Sequence, residues 1–260
     1  MGDVIGLHLV AHLDLVSSPR RSVLARLDAA GRLRALEEAG SDAEIVALLE
    51  EHDPAIVVAD APLEVPNATG RRDCESVIAW CDIAAFPVSA RRLETVFGGT
   101  RGVTLAPALA AGGRQALEGL PDQVLRQIAW EAGNPLGAPP LPLADYRAAW
   151  LGVRAPRYRP KGLGRARPEG TLAAWRLLAT VVDMDGWAPA AAPDDWAAIG
   201  DAARIDAICC AYSGLRLARD EAVCVGAPDR GTVVLVADAN LRARLSATVA
   251  RLRAEGTIVI

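Results

Sequence analysis

Two periods of apolar and polar residues succeed one another along this chain, and the switches between them mark out its elements. Residues 3–10 (DVIGLHLV) form a short apolar run with few breakers, the mark of a buried strand. Two half-polar runs, 22–27 and 32–36, flank Asp28-Ala29-Ala30-Gly31, which reads as a hairpin with glycine in its turn. Ser41-Asp42-Ala43-Glu44 reads as a capping box, and Ile45, Leu48 and Leu49 carry a helix to about residue 52. Residues 55–59 (AIVVA) are short enough for a buried central strand and stop at Asp60-Ala61-Pro62. The order strand, hairpin, helix, strand predicts a mixed sheet with at least one crossover helix.

The middle of the chain is broken by Gly and Pro. Residues 64–115 hold one predicted helix, about 72–82, and residues 116–132 read as a second, so a helical insertion is expected over about 64–135. Residues 134–142 are a Pro-rich connection. Leu172, Trp175, Leu178 and Val182 share one face of a helix predicted over 170–183. A strongly helical stretch over 201–219, a strand over 232–236 and a helix over 241–252 complete the pattern. Thr257-Ile258-Val259-Ile260 reads as a last strand closing the sheet. There is no internal repeat, and a single α/β domain over 1–260 is predicted.

Composition narrows the class. With 260 residues, 52% hydrophobic and 23% charged, the chain has material for a sizeable core and is not disordered. No apolar run approaches the ~20 residues of a membrane span. The opening carries Asp3 without a basic cluster, unlike a signal peptide, and five cysteines without paired spacing suit a reducing compartment. A cytoplasmic protein without a membrane partner is therefore expected. The net charge of −4 excludes an all-round basic surface. Its distribution matters more. Arg147, Arg154, Arg157, Arg159, Lys161, Arg165 and Arg167 lie together without an acid, a +7 loop (about 146–168) on a body of −11. Tyr146, Trp150 and Tyr158 interleave with them, a combination suited to phosphate contact and base stacking. Arg72 can add to that surface. A solvated loop is the alternative reading.

Absent motifs remove several reaction classes. The chain has no phosphate loop of the G-x-x-x-x-G-K-[ST] type, no G-x-G-x-x-G after a strand, no H-E-x-x-H, no C-x-x-C and no G-x-S-x-G. Catalysis would rest on carboxylates. Asp60 ends an apolar strand, where α/β sheets bind ligands, and also suits a turn before Ala61-Pro62. Asp206 lies in an apolar helix beside Cys209, Cys210 and Ser213, either as a functional acid or as an acid favoured by the helix dipole. His8 falls on the face of the first strand shared by Gly6 and Val10, as a ligand or as a core histidine. Cys74, Cys81, Cys209 and Cys210 read as small core residues.

Taken in order, Gly6-Leu7-His8, Asp60-Ala61-Pro62-Leu63, Gly70-Arg71-Arg72-Asp73-Cys74-Glu75, Asp206-Ala207-Ile208-Cys209-Cys210-Ala211-Tyr212 and the turn Gly226-Ala227-Pro228-Asp229-Arg230-Gly231 carry a resemblance. The set resembles a bacterial family of unknown function regarded as predicted nucleases with a ribonuclease-H-like fold, and the likeness spans most of the chain. The resemblance implies a ribonuclease-H-like mixed sheet flanked by helices. It also implies acids on the first strand, the fourth strand and a late helix that bind Mg²⁺ or Mn²⁺ for phosphodiester hydrolysis. Carried over, Asp60 is the fourth-strand acid and Asp206 the helix acid. The chain departs from the family at the first strand, where His8 stands in place of an aspartate, and near Asp145, where a Glu-x-Tyr-Pro segment is expected. Glu75 keeps the charge of a family acid. On this basis Asp60, Asp206 and His8 are the expected metal-ligating and catalytic residues. Arg72, Arg154, Arg157, Arg159, Lys161, Arg165 and Arg167 are the expected contacts to nucleic acid. Two other classes stay open. One is an inactive member that binds nucleic acid or a nucleotide; the other is an interaction module using the C-terminal helix and tail.

Overall fold

The computed structural model describes residues 2–10, 21–134, 139–159, 167–190 and 195–258. Strand β1 (Val4–His8) is buried along nearly its whole length and continues through the hairpin β2 (Ser22–Leu27) and β3 (Leu33–Ala39). Helix α1 (Asp42–His52) starts where Ser41 Oγ accepts from the Glu44 N–H, and leads into β4 (Ile56–Ala59). Three short helices follow: α2 (Asp73–Trp80), α3 (Ala90–Phe97) and α4 (Arg101–Leu109). Then come β5 (Gln115–Gly119), α5 (Pro121–Gly133), α6 (Leu143–Gly152) and α7 (Pro168–Leu178). The long α8 (Asp195–Ala218), the hairpin β6 (Ala222–Ala227) and β7 (Gly231–Val236), and α9 (Ala239–Ala254) end the chain.

The seven strands form one mixed sheet in the order β3-β2-β1-β4-β5-β7-β6. Strands β1, β2 and β3 are an antiparallel meander, β4 and β5 run parallel to β1, and the β6–β7 hairpin extends the far edge. Helices cover both faces. On one, α5, α7 and α8 bury Val23, Ala25, Leu27 and Val236 of the sheet. On the other, α1 and α4 cover Ile5, Leu7, Val57 and Ala59, while α2 and α9 cover Val233 and Leu235. Residues in β1, β4 and β7 alternate between the two layers, as the pleat requires.

Two glycines set how closely α8 lies on the sheet. A Cβ on Gly6 would stand 2.0 Å from the Ala207 carbonyl oxygen and 2.1 Å from the Ala211 nitrogen. On the helix side, a Cβ on Gly214 would meet Val4 Cγ1 at 2.5 Å. Backbone therefore rests on backbone, and α8 cannot keep this seat over a larger residue.

Several expectations need correction. Residues 115–119 of the expected helical insertion form β5, a central strand paired with β4 through Val58 and Leu117. Helices α2 to α4 are thus the crossover between two neighbouring parallel strands. β5 escapes a periodicity reading because Gln115 and Glu118 look polar, although Glu118 is buried and paired. Edge strand β6 has no counterpart in the sequence reading. Residues 146–152 of the expected basic loop belong to α6, and 160–166 lie outside the described residues. Thr257 and Ile258 join no strand; Ile258 is buried among Leu245 and Leu252 instead, and 259–260 lie outside the described residues. Among the described residues, no helix is long and apolar enough to cross a membrane.

The Gly6 contact is open to test. Gly6→Ala is expected to lower stability by about 3 kcal/mol or more, since neither backbone atom can move aside. Urea unfolding would read this as a shift in midpoint at constant slope, and an unchanged midpoint would contradict the close seat.

Candidate functional site

The parallel register of β1 and β4 places Leu7 opposite Ala59, so the next residues, His8 and Asp60, leave the sheet side by side. The Asp60 N–H donates to the Leu7 carbonyl at 3.0 Å, and Asp60 Oδ1 accepts from the Leu9 N–H at 2.8 Å. Both strands are thereby tied across their ends. His8 shares the Gly6 face, toward α8, where Asp206 immediately precedes Ala207, the residue seated on Gly6. The three predicted residues converge.

Nδ1 of His8 lies 2.5 Å from Asp60 Oδ2 and 3.5 Å from Asp206 Oδ2, between the two carboxylates. On its other side Asp206 is held by the segment before α7. Tyr158 donates its hydroxyl to Asp206 Oδ1, and Arg159 donates from Nε (3.0 Å to Oδ2) and from Nη2 (2.8 Å to Oδ1). Arg159 also reaches Asp122 Oδ2 with Nη1, at 3.4 Å. An Asp pair and a His–Arg pair thus alternate in charge within a few ångströms.

The protonation states follow from this arrangement. Burial alone would push the His8 imidazole down, but the charge and hydrogen bond of Asp60, with Asp206 behind, raise it. Asp60 pays desolvation and is nonetheless lowered, by His8 and by the Leu9 N–H. Asp206 is raised: burial and the Asp60 charge outweigh the pull of Arg159 and His8. Burial also pushes the Cys209 and Cys210 thiols well up, which does not favour a thiolate nucleophile.

His8, Asp60 and Asp206 each offer one ligand atom, and these atoms lie within 4.8 Å of one another. One divalent ion fits this set once Nδ1 has lost its proton, since a proton and a metal use the same lone pair. Among the described residues, a second ion finds no ligand set. Oδ1 of Asp206 is already occupied by Tyr158 and Arg159, and among the described residues no further His, Cys, Asp or Glu joins the cluster.

Beside the cluster a cleft of about 610 Å³ opens at the carboxyl ends of the parallel strands, within the size range of small-molecule sites. Its walls are mostly apolar, including Leu9, Pro62, Ile78, Phe86, Leu93 and Leu120, while Asp60, Asp122 and Arg159 line it too. One wall is built on buried charge. Arg72 makes a two-pronged contact with Glu118 (2.7 Å each), bonds Glu75 through Nε, and reaches the Glu64 carbonyl. Glu118 also accepts from the Leu63 N–H, and Glu75 from the Val88 N–H.

The expected nucleic-acid contacts are therefore dispersed. Arg72 is 5% exposed and committed to two carboxylates, which corrects its expected place on an open phosphate-binding surface. Arg147 pairs with Asp82, and Arg154 turns back onto the Leu151 carbonyl. Arg157 is exposed, and Arg167 caps α7 with its carbonyl. Lys161 and Arg165 lie outside the described residues. Arg159 alone of the described group meets the acid cluster. The expected stacking on Tyr146, Trp150 and Tyr158 is also corrected: all three are at most 1% exposed and serve as core. Glu75 belongs to the cleft wall, and Asp145 is exposed on α6 rather than on a strand. Sequence reasoning missed Tyr158 as a ligand of Asp206, and Asp122 at the start of α5. The Leu120-Pro121-Asp122 step after β5 is a signal that could have exposed the latter.

No family model, curated protein or solved structure matches the chain.

Two measurements test the site. His8 is expected to titrate above the ordinary 6.5 by NMR, and Asp60→Asn to move its midpoint down; an unmoved midpoint would contradict the pair. By linkage, protonated His8 stabilises the fold fully below about pH 6.5, and that contribution fades as pH rises through the folded value. Arg72→Leu is expected to cost about 3–5 kcal/mol of stability, because it strands two buried carboxylates. A phosphate-binding Arg72 would instead leave the urea midpoint in place.

Proposed function

We propose that this is a ribonuclease-H-like, cytoplasmic, single-metal phosphodiester hydrolase acting on nucleic acid or its fragments. The observation that carries the reading is the convergence of His8, Asp60 and Asp206 at the ends of β1 and β4 and on α8. The strand order supports the fold assignment. An antiparallel β1–β3 meander with β4 and β5 parallel to β1, in the order β3-β2-β1-β4-β5, is the arrangement expected of that fold.

The donors, two carboxylates and one imidazole, suit Mn²⁺ better than Mg²⁺, which favours an all-oxygen shell. A bound divalent ion would lower the pKa of its water and offset charge on a phosphate. The rest falls to the chain's own groups. Asp60 and Asp206 set the position and direction of the ligand oxygens. Arg159 keeps Asp206 turned by gripping its Oδ1 edge, and its exposed side supplies positive charge toward a phosphate. The β1–β4 backbone contacts at Leu7 and Leu9 hold Asp60 in place at little entropic cost.

A second reading has its own support. The imidazole of His8 and the guanidinium of Arg159 already balance the two carboxylates, so the cluster can stand without metal. In that case the cleft binds a nucleotide and leaves it intact.

Calorimetry with Mn²⁺ separates the two. Wild type is expected to bind one equivalent with proton release, more tightly as pH rises from 6 to 8. Asp60→Asn is expected to weaken binding by at least about tenfold and to abolish cleavage of a phosphodiester such as bis(4-nitrophenyl) phosphate. His8→Asp is expected to shift preference toward Mg²⁺. Absence of Mn²⁺ binding at pH 8 would sink the hydrolase and leave the second reading.

A further inference from the structure

We infer that the cleft beside the acid cluster is a pocket for one unpaired nucleotide, its base within the apolar walls and its phosphate at Arg159. This rests on the reading that the cluster faces a phosphate ester, and it names what that ester belongs to. Size is the first argument. A cleft of about 610 Å³, lined by the strand ends and the 84–88 strap, holds a mononucleotide.

Polarity is the second argument. Of the charged groups of the wall, Arg72, Glu75 and Glu118 are occupied with one another and with backbone N–H groups, and Arg101 with Asp42 and the Val10 carbonyl, so the interior behaves as an apolar slot. Phe86 of the strap lines it, with the Arg92 guanidinium 4.1 Å from the ring centroid. Apolar walls accept any base, which gives affinity for the base without sequence readout.

The third argument is where positive charge is left over. Of the five N–H groups of a guanidinium, Arg159 directs three toward Asp206 and Asp122 among the described residues. Two remain, on a side chain 41% exposed at the cleft edge. An anion there is bonded by those two groups while Arg159 keeps its hold on Asp206. Among the described residues, a phosphate on Arg159 therefore lies beside the acid cluster, with the cleft open to its base.

Equilibrium binding with adenosine 5′-monophosphate tests this, with inorganic phosphate and a blunt duplex as controls and no metal added. The mononucleotide is expected to bind wild type at least about tenfold more tightly than inorganic phosphate, the difference being the stacked base. Ala85→Trp, which fills the slot from an irregular segment, is expected to erase that difference. Phe86→Ala is expected to reduce it about fivefold or more while leaving phosphate binding alone. Arg159→Met is expected to weaken both anions about tenfold. Equal affinity for nucleotide and phosphate overturns the pocket, as does a duplex that binds more tightly than the nucleotide and is indifferent to Ala85→Trp. The Mn²⁺ titration is independent. Metal binding without nucleotide preference defeats the pocket and spares the hydrolase, whereas nucleotide preference without metal binding supports the pocket and defeats the hydrolase.

Discussion

Everything at the candidate site depends on α8 lying against β1 with no side chain between them. The contact at Gly6 brings the backbone of Ala207 to the strand, and Asp206 is the residue just before it. A helix held off by even a methyl group would carry Asp206 away from His8 and Asp60. The pair of glycines, one on the strand and one on the helix, thus acts as a geometric precondition for the chemistry. It costs conformational freedom in the unfolded chain and packing in the sheet, since neither residue buries a side chain. Strand β1 recovers that loss through Val4, Ile5 and Leu7, which are buried almost completely.

The molecule handles buried charge in two ways. Around Arg72, every oxygen of Glu75 and Glu118 has a donor, and these donors belong to segments that must be held: the turn after β4 and the strap over the cleft. Such a network is satisfied and inert. Around His8 every carboxylate oxygen also has a donor, but the donors, apart from the Leu9 N–H, are side chains beside a cleft. One proton is placed between two carboxylates, and a guanidinium is shared between two acids. Burial acts upward on both carboxylates, but His8 and the Leu9 N–H outweigh it at Asp60 and not at Asp206, so the two acids are pushed apart in acidity by their partners. Separation of this kind is found where groups exchange protons or ions, and structural ion-pair networks such as Arg72 and Glu118 show shifts too.

Much of this was legible in the sequence. Strands β1, β2, β4 and β7 and helices α1, α8 and α9 follow from periodicity, because each buries a clear stripe or a continuous apolar run. The three convergent residues were also visible, Asp60 from its place after a strand and Asp206 from its place in an apolar helix. Strand β5 was not, because Glu118 reads as a surface residue until its partner Arg72, distant in sequence, is known. The arginine-rich segment misled for a related reason. Charge density along a chain says nothing about direction, and these arginines turn to different acids, to carbonyls and to solvent. Of the aromatic residues among them, Tyr146 and Trp150 are needed by the core of α6, α5 and α9 and Tyr158 by the core under α8, which periodicity over a single short helix does not reveal.

The strap over the cleft is tied by a buried hydrogen bond from the Val88 N–H to Glu75, itself locked to Arg72. A roof fastened in this way does not need to close over an incoming molecule. Its entropy of ordering is met during folding, so a guest meets finished walls and loses chiefly its own freedom. Selection then works by shape at entry rather than by movement after binding. Analogues a little too large should be refused outright, where a hinged lid would admit them at reduced affinity.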